Sequence, residues 1–186
     1  MTTDRAAKAA ADSIGTRIAG VVADEQLLDG PVAALMPPAR WLTATAARRE
    51  VLLGHPLGHA LHPLLTDRPI GCWTSSWLLD VLPVEGSRRA SQRLVALGLL
   101  AALPTAITGW AEWSRTTARQ DQRVGVVHAV ANTCAVLCYA GSWWSRRKGR
   151  HRIGVALGQL GGLTAAAGGF LGAHLAIGRK VGSTAS

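Results

Sequence analysis

Long stretches without Asp, Glu, Lys or Arg dominate the pattern of the chain, at residues 94–111, 124–144 and 153–178. A helix needs about 20 mostly apolar residues to cross the hydrocarbon core of a bilayer. A shorter apolar stretch, residues 69–84, contains Asp80 near its end, where a carboxylate reaches the membrane interface at lower cost than at the centre. Counting it gives four transmembrane helices, at about 64–84, 94–113, 124–144 and 153–178.

The segments between these stretches are short and rich in arginine. Short connections place consecutive helices side by side and antiparallel. The sequence therefore predicts an all-α fold, an integral membrane antiparallel four-helix bundle, located as a multi-pass protein in the inner (plasma) membrane. We expect Asp80 to pair with an arginine of the first loop, residues 85–93.

Residues 1–53 precede the first predicted span and are assigned to a separate N-terminal arm. They are not read as a signal peptide, because charged residues interrupt any apolar run of that type. Ile14, Ile18, Val21 and Val22 recur at helical spacing and predict an amphipathic helix that ends at Gly30–Pro31. A second short helix is expected at 39–53. The arm is interpreted as lying on the membrane, docking on a partner or capping the bundle. The transmembrane domain then covers residues 54–182, with a tail at 183–186.

Composition supports the membrane class. Charged residues make up 17% of the chain, against roughly a quarter in ordinary soluble domains. A formal net charge of +9 would favour nucleic acid in a soluble protein, but loops beside membrane spans hold the same excess at anionic headgroups. Because the arginines lie in short loops and not on one soluble face, we expect the lipid bilayer as partner and no nucleic acid.

Histidines are the main candidates for chemistry. In the predicted bundle, His62, His128 and His174 come from three different spans to the same end. Asn132 follows His128 by one helical turn and shares its face. Imidazoles from separate helices can ligate a haem iron or, together with His59, Asp67 and Glu112, a transition metal. The alternative is that these histidines hydrogen-bond to the backbone and to each other. No catalytic arrangement is recognised.

The last predicted span carries a stripe of small residues: Gly154, Gly158, Gly162, Gly168 and Gly172. Small residues at this spacing allow two helix backbones to approach closely in lipid. The stripe is interpreted either as a homodimer face or as the surface that packs against the other spans of the same chain.

Several short motifs carry a family resemblance. They are the His-Pro…Asp-x-Pro-Ile pattern within residues 58–71 and the segments 106–113, 124–129 and 172–175. Over about residues 54–182 the chain resembles a bacterial four-span membrane family of unknown function (domain of unknown function 2231). Members of that family are sometimes joined to Rieske-type iron–sulfur domains, so the resemblance implies an association with electron transfer and a redox protein partner.

Taken together, these observations lead us to expect a membrane protein that binds a redox cofactor, haem b or a transition metal, at its histidine end. The alternative is a non-enzymatic membrane scaffold or regulator that recruits a partner through the N-terminal arm.

Overall fold

The computed structural model describes residues 13–82 and 84–179, so the predicted tail at 183–186 lies outside the described residues. Within this range the chain is helical and contains no strand. Its α-helices are α1 (Ile14–Asp24), α2 (Asp29–Leu42), α3 (Ala46–Leu53), α4 (Leu61–Val81), α5 (Ser87–Trp113), α6 (Arg119–Arg147) and α7 (His151–Ala173). Short 3-10 turns occupy Gln26–Leu28 and His55–Leu57, and a π-helical turn, His174–Gly178, extends α7.

Three helices are long and apolar enough to cross a membrane: α5, α6, and α7 with its π turn. They coincide with three of the four predicted spans. The predicted first span forms helix α4, which contains three charged residues, Asp67, Arg68 and Asp80.

The long helices associate in two pairs. α4 packs on α5 and α6 packs on α7, each more extensively than the two pairs pack on each other. In the first pair, His62 near the start of α4 bonds Thr105 late in α5, whereas Ser76 late in α4 bonds Ser91 early in α5. These contacts make α4 and α5 an antiparallel hairpin, called hairpin 1 below. α6 and α7 form hairpin 2.

The glycine stripe of α7 faces α6 of the same chain. A Cβ atom at Gly168 would lie 2.8 Å from the Asn132 side chain, and one at Gly172 would lie 2.8 Å from the His128 ring. The remaining glycines also lie against α6 side chains: Gly154, Gly158 and Gly162. The stripe therefore supports the interpretation that it packs against the same chain. A homodimer stays a prediction, and its two copies would have to meet through a different surface.

The N-terminal helices lie against the end of the bundle where α6 begins and α7 finishes. Buried Ala19 of α1 packs with Val124 and Leu171, and buried Val32 and Met36 of α2 pack with Val126. These contacts place α1 and α2 against α6 and α7, and the role of the arm at the membrane or on a partner stays a prediction.

The helix boundaries in the arm differ from the predicted ones. α1 ends at Asp24, before Gly30–Pro31, and α2 starts at Asp29 and continues through Pro37 and Pro38. Pro31 lies in the first turn of α2, where a missing N–H costs nothing. The two later prolines are tolerated because α2 buries Val32, Met36 and Ala39 along one side.

The helix predicted at 39–53 is broken at residues 43–45. Thr45 caps the start of α3, since its hydroxyl accepts a hydrogen bond from the Arg48 backbone N–H at 3.3 Å. A capping threonine stabilises a new helix start at the point where the chain leaves α2.

Candidate functional site

The His62 ring extends from the start of α4 to the backbone of α5. Its Nδ1 lies 2.9 Å from the Thr105 carbonyl oxygen. Because a carbonyl oxygen only accepts, Nδ1 carries the proton, and in a neutral imidazole Nε2 is then the nitrogen with the free lone pair. Gly109 makes the approach possible, since a Cβ atom there would lie 2.8 Å from Cε1 of the ring.

His128 repeats this arrangement in hairpin 2. Its Nδ1 donates to the Gly168 carbonyl oxygen at 2.7 Å, and its ring lies against Gly172. The Asn132 side-chain amide lies 3.1 Å from Nε2 of the same ring and also donates to the His128 carbonyl oxygen at 3.0 Å. Asn132 therefore belongs to the histidine site, as its spacing predicts.

The two rings meet between the hairpins. The ring centroids of His62 and His128 are 6.5 Å apart and the ring planes are perpendicular, at 89°. One ring is fixed to hairpin 1 and the other to hairpin 2, so the pair bridges the less extensively packed seam of the molecule. We call these two residues the histidine pair.

Glu112 lies beside the histidine pair, late in α5. Its carboxyl group faces the backbone N–H of His62, in the first turn of α4, where backbone N–H groups have no partner within the helix and favour a negative charge. The other carboxyl oxygen, Oε1, is buried and has no hydrogen-bond partner among the described residues. The site thus contains an acceptor that is removed from solvent and unsatisfied.

Among the described residues, the other predicted side chains make no hydrogen bond or ring contact with the histidine pair. His59, in the turn before α4, and Asp67, on α4, are exposed. His174 is half-buried, and its ring makes no hydrogen bond or ring contact within the described part of the chain. Residues 13–82 and 84–179 contain no group of three or more His, Cys, Asp or Glu side chains placed to hold a metal ion. The structure brings together His62, His128, Asn132 and Glu112.

A second polar cluster lies at the opposite end of the hairpins. Asp80 pairs with Arg146 of α6 through two hydrogen bonds, at 2.8 and 2.6 Å, and not with an arginine of the first loop as predicted. The side chains are only 5% and 1% exposed. Ser91 donates to Asp80 at 2.8 Å, and Arg146 donates to Ser142 at 3.1 Å.

The apolar pattern does not predict this pair, because Arg146 follows the uncharged run at 124–144 and so lies in a predicted loop. α6 continues to Arg147, however, and Arg146 shares a buried helix face with Tyr139 and Ser142. The spacing of these three residues, at intervals of three and four, was the signal that places Arg146 inside the bundle.

The fold and these two clusters define the class: an α-helical membrane protein that gathers its polar side chains at the two ends of paired hairpins. The chain belongs to the family described as "Predicted membrane protein (DUF2231)", which matches residues 58–185. The resemblance seen in the sequence is thereby confirmed, and α1 to α3 lie outside the matched region. No curated protein and no solved structure matches the chain.

Proposed function

We propose that this protein is a four-span membrane protein that holds a haem through His62 and His128 and takes part in electron transfer. The observation that carries the proposal is the geometry of the histidine pair. Metal–nitrogen bonds of about 2 Å place the centres of two imidazoles on opposite sides of one metal roughly 6 Å apart. The ring centroids of His62 and His128 are separated by 6.5 Å.

The hydrogen bonds of the pair support ligation through Nε2. Histidines that bind metals usually donate their other N–H to a carbonyl or carboxylate, which fixes both the tautomer and the ring orientation. His62 and His128 each donate from Nδ1 to a backbone carbonyl oxygen. Ligation of His128 would replace the hydrogen bond between its Nε2 and Asn132, which lies close enough to orient the bound group.

The number of ligands favours haem over a single ion. Haem iron needs at most two axial ligands from the protein, whereas a bare metal ion is commonly held by three or more side chains. Two imidazoles converge in the described residues, and no third His, Cys, Asp or Glu joins them in a metal-binding group. The pair also spans the seam between the hairpins, where packing is least extensive.

The contacts of α4 support the proposal of a fourth span. Its first turn contacts α5 eight residues before the end of that helix, through His62 and Thr105, and its last turn contacts the end of α6 through Asp80 and Arg146. With 21 residues, α4 is long enough to cross the hydrocarbon core beside these helices. Its buried charge, Asp80, is neutralised by Arg146, which lowers the cost of placing it in the membrane.

The absorption spectrum tests the proposal. The protein is produced in cells supplied with a haem precursor, purified in detergent and assayed by pyridine haemochrome. We expect one haem per chain, lost in His62→Leu and in His128→Leu but retained in His59→Leu, which removes an exposed histidine outside the pair. A colourless wild-type protein would show that the two imidazoles only tie helices together.

A partner-recruiting role is a second candidate. It is supported by the outer face of α1, where Ile14, Ile18 and Val21 are exposed while Ala19 is buried against the bundle. Ile18→Ser with Val21→Ser changes this face without uncovering the bundle. Loss of a co-purifying redox protein, with the fold and cofactor content unchanged, would favour this role.

A further inference from the structure

A cavity of about 360 Å³ lies between α4, α6 and α7, beside the Asp80–Arg146 pair. Sites for small molecules commonly have volumes of about 300–1,000 Å³. Aromatic residues of two helices line it, Trp73 and Trp77 from α4 and Tyr139 from α6. α7 contributes Gln159 and Gly162. The histidine pair does not line this cavity, so it is a separate site.

Tyr139 presents a hydroxyl group that lacks a partner. Its side chain is only 5% exposed, and its ring stacks on Trp73 at a centroid distance of 4.1 Å and an angle of 12°. The hydroxyl lies beside Gly162, where a Cβ atom would be 3.5 Å away, and so faces the cavity that both residues line. Among the described residues it makes no hydrogen bond, so it is free to donate one to a molecule in the cavity.

Gln159 supplies a second donor at the same depth. It follows the start of α7 by about two turns, and Tyr139 precedes the end of α6 by about two turns, so both lie roughly 12 Å from that end of hairpin 2. The Gln159 amide makes no hydrogen bond within the described part of the chain. Inside a candidate span, such a group needs a partner that lipid tails cannot provide.

The charges beside the cavity compensate each other. Four of the five N–H groups of Arg146 donate, to Asp80, Ser91 and Ser142, and both Asp80 oxygens accept hydrogen bonds from its guanidinium group. The pair therefore brings no net charge to the cavity, and the Tyr139 and Gln159 donors are neutral. The matching ligand is a neutral molecule with oxygen acceptors.

We propose that this cavity binds a quinone-class molecule from the membrane, with its carbonyl oxygens accepting hydrogen bonds from the Tyr139 hydroxyl and the Gln159 amide. A flat ring can stack on Trp77, which is 45% exposed, at the edge of the stacked Trp73–Tyr139 pair. A glycerolipid also carries carbonyl groups, but it lacks the flat ring. This site goes beyond the proposed haem function and does not rest on it.

Titration of the full-length protein with menadione tests the site. The protein is reconstituted in phosphatidylcholine nanodiscs, and binding is followed by quenching of tryptophan emission, since Trp73 and Trp77 line the cavity. Gly162→Leu fills the space beside the Tyr139 hydroxyl. Gly169→Leu is the matched control on the same helix, because a Cβ atom at Gly169 meets nothing within 4 Å.

We expect saturable quenching in the wild type and in Gly169→Leu, with affinity reduced at least tenfold in Gly162→Leu. Tyr139→Phe keeps the stacked ring and removes one donor, so affinity should fall by roughly 2- to 10-fold, the value of one hydrogen bond. Gln159→Leu should have a similar effect. These two variants decide the question if Gly162→Leu does not fold.

Three results would overturn the proposal. Quenching that rises linearly with menadione in the wild type would show simple partitioning into lipid. Unchanged affinity in both Tyr139→Phe and Gln159→Leu would show that neither donor is used. Displacement of menadione by an equimolar amount of diacylglycerol would assign the cavity to a lipid carbonyl. All variants are compared at the same haem content, so the outcome is separate from whether the histidine pair binds haem.

Discussion

Several rings of this protein lie directly on glycines of a neighbouring helix, among them His62 on Gly109, Trp73 on Gly98 and His128 on Gly172. Glycine brings the backbones close enough for an imidazole to reach a carbonyl oxygen across the helix interface. The positions of the two histidine rings are therefore determined by glycines as much as by the histidines themselves.

Gly172→Ala tests this dependence. The added methyl group would lie 2.8 Å from Cε1 of His128, so the ring must move, and overpacking of this kind costs about 1–3 kcal/mol. We expect a lower Tm in detergent. Gly169→Ala on the same helix should raise it slightly, because alanine favours a helix by up to about 1 kcal/mol over glycine. Equal shifts in the two variants would contradict the close packing.

The Asp80–Arg146 pair gives a second prediction at this scale. Removing one partner of a buried ion pair leaves an uncompensated charge and costs about 3–5 kcal/mol, whereas replacing both is often close to neutral. We therefore expect Asp80→Leu and Arg146→Met each to lower the free energy of unfolding more than the double variant does. Asp67→Asn, at an exposed carboxylate on the same helix, is the control. Additive effects in the double variant would contradict the coupling.

Among the elements, the N-terminal arm is attached to the bundle by a small number of specific contacts. Arg123 at the start of α6 holds Asp29 of α2 with two hydrogen bonds of 2.9 Å and donates a third to the Ala23 carbonyl oxygen. The guanidinium group of Arg123 lowers the pKa of the Asp29 carboxyl below its usual range. The attachment of the arm is therefore sensitive to acid.

The sign of this pH dependence follows from the lowered pKa. The Asp29 contribution is fully present above the ordinary aspartate pKa of about 3.9 and is lost as the pH falls through the lowered value. We expect hydrogen exchange in α1 and α2, corrected for its intrinsic pH dependence, to accelerate over that interval in the wild type. Asp29→Asn should exchange faster at neutral pH already. The same pH profile in both proteins would rule out Asp29 as the cause.

The apolar pattern predicts the membrane part of each helix but not where the helix begins. The pattern predicts the second span at 94–113, whereas α5 starts at Ser87 and includes Arg88, Arg89 and Arg93. Helical hydrogen bonding continues beyond the hydrocarbon core, where charged side chains are readily solvated, so the loss of hydrophobicity does not end the helix. To predict the helix ends that matter to the fold, such as the extension of α6 to Arg146, one must also know how the helices pack.

The part of the candidate site that follows from the order and direction of the helices can be predicted from the sequence. Alternating helix directions place His62 and His128 at the same end, and helical spacing adds Asn132. His174 shares that end, but it follows Gly172 by two residues and so points about 200° around the helix from the glycine under the His128 ring. The unsatisfied oxygen of Glu112 and the partner of Asp80 depend on side-chain contacts that no local pattern encodes.

For the whole molecule, the number of spans fixes which parts share a side of the membrane. The arm contacts the end of α7, and the loop between α6 and α7 lies at the other end. We expect Gln26→Cys and Gly178→Cys to react with an impermeant maleimide from the same side, opposite to Lys148→Cys, in a background lacking Cys72, Cys134 and Cys138. With only three spans, Gln26→Cys would react together with Lys148→Cys.

The Asp80–Arg146 contact also orders the biogenesis of the protein. The two residues are separated by 66 positions in the chain, so at typical synthesis rates Arg146 leaves the ribosome about 3 to 13 seconds after Asp80. In the proposed four-span arrangement, hairpin 1 then enters the membrane with the Ser91 hydroxyl as the serine partner of the Asp80 carboxyl group, and hairpin 2 supplies the guanidinium group later. We expect a chain that terminates after α5 to be degraded faster than the complete chain.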